Sequence, residues 1–223
     1  MIKAVIFDCD GLLIDTETPW FLANRELYQE HGVDLPLELY AQCIGNPTFE
    51  DFDPYVNLKN QLNGSMEIDE MKAKARLIHK RIMKNQDLRP GVREYLESAK
   101  KRGYKIGLAS SSDRTWIDEQ LTKFNILHYF DSIHTGDTVE KVKPYPDLYL
   151  SALKNLEVKP HEAVAFEDSL NGLKAAKAAE IYCVVVPNEA TSHLKFTNYD
   201  LKLESMQEFT LEQVVKKVIP SST

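Results

Sequence analysis

Apolar residues fall in two rhythms along this chain. Short, nearly continuous runs recur at Ala4–Phe7, Lys105–Ala109, Ser132–Thr135, Ala163–Phe166 and Tyr182–Val186, with a shorter one at Leu201–Leu203. Continuous apolar character predicts parallel strands covered on both faces. Between these runs the spacing changes to threes and fours. Ile117, Leu121 and Phe124 follow a capping Asp113. Leu148, Tyr149, Ala152, Leu153 and Leu156 repeat the pattern, as do Leu170, Leu173, Ala176 and Ala179. Strand–helix alternation of this kind predicts an α/β fold, a doubly wound (Rossmann-like), mostly parallel sheet.

Residues 15 to 88 break the alternation, with at least two helical patterns and no strand-like run. The first helix is expected to start at Thr18-Pro19, a cap residue with proline in the first helical position. Its apolar face is Trp20, Ala23, Leu27 and Tyr28. A second runs from Glu67 to Asn85 with Ile68, Met71, Ala75, Ile78 and Ile82 as its stripe, the spacing of an amphipathic helix. Leu88-Arg89-Pro90-Gly91 then marks the return to α/β pattern. The expected organisation is a core of residues 1–14 and 88–223 with an inserted α-helical cap domain, 15–87. Such an insert in the first crossover would sit above the carboxyl edge of the sheet, where α/β folds bind ligands.

Composition narrows the class. The 223 residues include 43% apolar and 27% charged positions, enough to bury a core. No apolar run approaches the ~20 residues of a membrane span. Met1-Ile2-Lys3 leads straight into the first strand without a signal-peptide pattern, and Cys9, Cys43 and Cys183 are too scattered for a disulfide framework. The expectation is a cytoplasmic protein. A formal charge of −7 argues against nucleic acid or an anionic membrane as partner. The Lys72–Lys84 basic face reads as solvated helix surface, and the six histidines lack metal-ligand spacing.

Chemistry collects at the predicted strand ends. The first strand runs into Asp8-Cys9-Asp10-Gly11, two carboxylates followed by a residue free to turn sharply. Alone this is equally a turn of ordinary composition. The second ends in Ser110-Ser111-Ser112 before a helix, either an anion site or simple N-capping. Lys143-Pro144 follows the third strand. Glu167-Asp168-Ser169 ends the fourth, where acids also suit a helix dipole. The order of the four decides between these readings, because parallel strand ends converge on one side. Clustered carboxylates need a hard cation, which suits Mg²⁺, and a hydroxyl and a lysine would complete a phosphate site.

At these residues the chain resembles the haloacid dehalogenase (HAD) superfamily of phosphohydrolases, in its sugar-phosphatase and β-phosphoglucomutase-like branch. The carriers are Asp8-Cys9-Asp10-Gly11-Leu12-Leu13-Ile14-Asp15-Thr16-Glu17, Ser110 ending Lys-Ile-Gly-Leu-Ala-Ser, Lys143-Pro144-Tyr145-Pro146-Asp147, and Glu167-Asp168-Ser169-Leu170-Asn171-Gly172. The resemblance covers essentially the whole chain and implies a small helical cap in the strandless interval. It implies Asp8 as nucleophile and Asp10 as general acid and base. Ser110, the Ser111 backbone N–H and Lys143 would bind phosphate. Asp8, Glu167, Asp168 and the main-chain carbonyl of Asp10 would hold Mg²⁺. The cap would close over the leaving group, which makes Trp20, Asn24 and the turn at Gly45 candidates for substrate contact, with Arg114 a further one.

The activity implied is Mg²⁺-dependent hydrolysis of small phosphate monoesters, sugar or polyol phosphates, by a monomer. A mutase of the β-phosphoglucomutase type shares the four motifs. The similar mutase cap carries an arginine shortly after a glycine, whereas Gly45 is followed by Asn46-Pro47-Thr48, and Trp20 stands where mutases are expected to have histidine. Dehalogenases and phosphonatases replace the second aspartate, present here as Asp10. A binding protein that has lost catalysis is the alternative of another class, yet no motif carboxylate is missing.

Overall fold

Every side chain of the first strand is apolar and buried, and that strand lies inside the sheet. The structure is a computed structural model and describes residues 1–40, 43 and 52–219. In chain order its elements begin with β1 (Ala4–Phe7), α1 (Glu17–Gln29), α2 (Leu37–Tyr40), α3 (Pro54–Gln61) and α4 (Ile68–Met83). There follow α5 (Val92–Lys101), β2 (Lys105–Ala109), α6 (Arg114–Lys123), β3 (Ser132–His134) and α7 (Asp147–Leu156). The chain continues with β4 (Ala163–Glu167), α8 (Leu170–Ala178), β5 (Tyr182–Val185), β6 (Leu201–Lys202) and α9 (Leu211–Val218).

Two compact units divide the chain. The first comprises Met1–Ile14, Asp87–Pro187 and Leu194–Thr223. Its sheet has the order β3-β2-β1-β4-β5-β6 with every pairing parallel, the doubly wound α/β class expected. Strand alternation sends Ala4, Ile6, Ala163, Ala165, Cys183 and Val185 into one core with α7 and α8. The intervening residues serve the other face, where the Phe7 and Phe166 rings stack at 4.9 Å and Tyr95 of α5 meets Phe166 edge-on. Both faces are therefore covered, which is why the strands read as unbroken apolar runs. The connection order reverses between β1 and β4, the position where open α/β sheets carry their ligands.

The second unit comprises Asp15–Gln86 and Asn188–His193. The latter segment lies inside the 88–223 span assigned to the core by sequence. Its helices α1 to α4 surround Phe21, Leu27, Tyr28, Leu35, Tyr55, Leu58, Met71 and Ala75. The Tyr28 hydroxyl donates to the Pro54 carbonyl at 2.6 Å, tying α1 to the start of α3. Helix α1 begins two residues before the expected Thr18-Pro19 start. Asp15 accepts the Thr18 N–H at 3.0 Å and stands in for the cap, so Pro19 sits inside the first turn, where its missing N–H costs no hydrogen bond. Helix α3 has Asp53 accepting from Tyr55 and Val56, with Pro54 at its start. Among the described residues no helix is long and apolar enough to cross a membrane.

Candidate active site

Register builds the site. Phe7 pairs with Phe166 and the Asp8 N–H donates to the Phe166 carbonyl at 3.1 Å, so Asp8 leaves β1 where Glu167 ends β4. Gly11 takes φ +82°, a left-handed turn open to glycine, and the chain doubles back immediately. Arg89 fixes this turn, donating to the carbonyls of Gly11 at 2.6 Å, Val186 at 2.9 Å and Pro187 at 2.7 Å.

Asp8, Glu167 and Asp168 are all buried, and one carboxylate oxygen of each lies within 4.8 Å of the others. Lys143 reaches into the group, with its Nζ 2.6 Å from Asp8 Oδ1 and 2.7 Å from Glu167 Oε1. Burial pushes the Asp8 carboxyl up to about 8, with Lys143 opposing and Glu167 and Asp10 adding to the rise. Burial works against the Lys143 charge, but Asp8 and Glu167 outweigh it and hold its pKa above the ordinary lysine value. The Tyr149 hydroxyl also donates to Glu167 Oε1. Both donors thus take the same oxygen, and Glu167 Oε2 is buried without a partner.

That arrangement passes a test of fit for a divalent cation. Three carboxyl groups crowd one ammonium, so their full ionisation would leave two negative charges uncompensated, and a buried carboxylate oxygen without a partner is costly. Hard oxygen donors suit Mg²⁺. Gly172 of α8 belongs to the same design. A Cβ on it would collide with the Glu167 carboxylate, so only glycine lets the helix lie against that side chain.

Asp10 points elsewhere. Its carboxylate accepts from Ser112 Oγ at 2.7 Å and Trp116 Nε1 at 2.9 Å, with Ser110 Oγ at 3.4 Å. Ser110 is buried at the end of β2, where its N–H donates to the His134 carbonyl and its Oγ accepts the Ser112 N–H. Ser111 is exposed. Cys9, between the two aspartates, is buried, and burial raises its thiol well above the usual range, as expected for a packing residue.

Arg114 lies along α6 with Nε 2.8 Å from Asp118 Oδ1. Trp20 stacks on His79 with centroids 3.9 Å apart, and buried Asn24 donates to the Trp20 carbonyl at 2.9 Å. Gly45 lies outside the described residues. Sequence reasoning missed Tyr149, Trp116 and His79 as parts of these clusters, and it named Ser112 and Gly172 only as members of their motifs, without the contacts they make. Tyr149 reads as one more apolar position of a helical stripe. A tryptophan two residues into a helix that follows three serines was the available signal for Trp116.

Known proteins extend the reading. The family model for haloacid dehalogenase-like hydrolases matches residues 5–186. YhcW of Bacillus subtilis (strain 168), a candidate phosphatase, is 46% identical over 211 residues, 95% of each chain. Hexitol phosphatase B of Escherichia coli (strain K12) is 33% identical over 218 residues, covering 96% of this chain and 97% of that protein. A crystal structure of a candidate β-phosphoglucomutase from Thermotoga maritima superposes with a TM-score of 0.77 at 31% identity, covering 98% of this chain and all of that one (100%).

Proposed function

The chain belongs to the haloacid dehalogenase-like hydrolases, as an enzyme acting on phosphoric monoesters, and on that premise we propose a Mg²⁺-dependent phosphatase of sugar or polyol phosphates. The observation that carries the metal-dependent reading is the buried trio of Asp8, Glu167 and Asp168 around Lys143, with Glu167 Oε2 unpartnered. Hexitol phosphatase B supports a polyol phosphate as the small phosphorylated substrate. The buried, unpaired cysteines fit a reducing cytoplasm, and a monomer is the simplest assembly.

Asp8 attacks phosphorus, and the bond to the ester oxygen breaks as an aspartyl-phosphate forms. Asp10 gives its proton to the departing oxygen and later takes one from the water that attacks the acyl phosphate, so Asp8 and inorganic phosphate are released. Lys143 and Ser110 hold the transferring group, with the Ser111 N–H as a further donor. Asp8, Glu167, Asp168 and the Asp10 carbonyl would hold Mg²⁺, which when bound supplies positive charge to the phosphoryl oxygens. Lys143 also keeps Asp8 oriented through its 2.6 Å contact.

A panel of phosphate esters that includes glucitol 6-phosphate and β-glucose 1-phosphate tests this reading with Mg²⁺ present. Inorganic phosphate should accumulate, and Asp8→Asn should remove turnover by about 10³-fold or more while the protein stays folded. Substantial turnover in folded Asp8→Asn refutes the nucleophile. Glucose 6-phosphate accumulating from β-glucose 1-phosphate makes the enzyme a mutase instead.

A further inference from the structure

Asp10 is held by side chains far from it in sequence. Ser112, 102 residues on, donates to Oδ2, and Trp116, 106 residues on, donates to Oδ1. Each oxygen therefore has its own donor, and a carboxylate so engaged cannot turn about its last torsion without breaking one of them. Among the described residues Asp10 makes no ion pair, so neutral donors alone set its direction. Asp8, two residues away, is held by the Lys143 cation instead.

Local structure makes the hold rigid. The Asp113 carboxylate accepts the Trp116 N–H at 2.9 Å and starts α6, so the backbone of Trp116 is fixed in the first turn. Side chains in a helix lean back toward its N-terminus, which sends this indole toward the end of β2. An indole N–H donates and cannot accept, so it can serve only an acceptor such as a carboxylate. Ser112 is anchored as well, because its N–H donates to Ser110 Oγ at 3.1 Å. A buried indole N–H ordinarily finds a hydrogen-bond partner, and for Trp116 that partner is Asp10.

We propose that Trp116, seconded by Ser112, is a positioning residue that aims the Asp10 carboxyl for proton delivery to the leaving oxygen. This rests on the acid–base role given to Asp10 above. The consequence is a dependence on the leaving group. An alkoxide needs the proton and is penalised by a misaimed acid, whereas p-nitrophenolate departs without one.

The test compares kcat/KM on glucitol 6-phosphate with kcat/KM on p-nitrophenyl phosphate, which reads phosphoryl transfer to Asp8 and not the later hydrolysis that both substrates share, with Mg²⁺ present and thermal melts as the folding control. Trp116→Phe should lower the ratio of the two about tenfold. Ser112→Ala should lower it about threefold, and Ser112→Thr should restore it. Asp10→Asn should lower the ratio at least about 100-fold. Adding Trp116→Phe to Asp10→Asn should then cost nothing more, because the indole acts through that carboxylate. If Asp10→Asn lowers the ratio and neither Trp116→Phe nor Ser112→Ala does, the positioning role is overturned. An additive further loss in the double variant overturns it too. If Asp10→Asn leaves the ratio unchanged, the acid–base reading itself has failed.

Discussion

His79 stacks on Trp20 and donates one ring nitrogen to the Thr16 carbonyl, while its Nε2 is buried without a partner. Burial lowers its pKa to about 4, with the bond to Thr16 opposing. An ordinary histidine in the unfolded chain titrates near 6.5, so between these values the unfolded state binds more protons than the folded one. Stability contributed by neutral His79 is therefore complete above pH ~6.5 and is lost as pH falls toward 4. The shift corresponds to roughly 3 kcal/mol across the window. His79→Phe keeps an aromatic ring on Trp20 and removes the titration. Urea unfolding between pH 7 and pH 4.5 should show the wild type losing about 2–3 kcal/mol more than this variant. Equal pH slopes would reject the neutral buried histidine. At this scale sequence identifies titratable residues but not their surroundings: His79 lies beside the apolar Ile78 of the helical stripe, and only packing shows what its ring faces.

Among the elements, α8 is the one whose placement the chemistry depends on. It starts with Ser169 accepting the Gly172 N–H at 3.1 Å, and its first turn lies directly against the Glu167 carboxylate. Helix propensity favours alanine over glycine by about 1 kcal/mol in a helix interior. The collision with Glu167 opposes that gain and is the larger effect, since the carboxylate is fully buried and already held by Lys143 and Tyr149. Gly172→Ala should thus raise the Mg²⁺ concentration needed for half-maximal turnover by about 10–100-fold, the usual size of an outer-sphere disturbance. Gly103→Ala is the comparison: its Cβ would meet nothing within 4 Å, and the strain of an alanine at φ +72° should lower stability without changing the Mg²⁺ requirement. An unchanged Mg²⁺ requirement in Gly172→Ala would mean that Glu167 can move freely. Element positions were largely legible: β1 and β2 keep their expected ends, because their apolar runs are bounded by polar residues. Helix α3 was missed although Asp53-Pro54 is a start signal, for its eight residues carry too few apolar positions to display a period.

At the scale of the molecule, electrostatics and stability meet in the acid trio. A chain of net charge −7 buries three carboxyl groups against one lysine, and a divalent cation would cancel the two negative charges that their full ionisation leaves over. Mg²⁺ should therefore stabilise the intact enzyme. At 100 times its Kd the linkage is about 2.7 kcal/mol. For a protein of this size that raises Tm by about 5–10 °C. EDTA should abolish turnover and reverse the shift, and Asp168→Asn should remove it. A melting curve indifferent to Mg²⁺ would count against a cation at the trio. The sequence by itself determined the strand runs, the helical interval and the order of acid, hydroxyl, lysine and acid motifs, since periodicity and strand-end chemistry are local properties of the chain. Only the tertiary structure decided that β1 and β4 lie side by side, which brings Asp8 to Glu167. It alone turned Asp10 away from that pair onto Ser112 and Trp116, and left Glu167 Oε2 unpartnered. Those outcomes depend on strand pairing and side-chain direction across more than a hundred residues, and no local spacing encodes them.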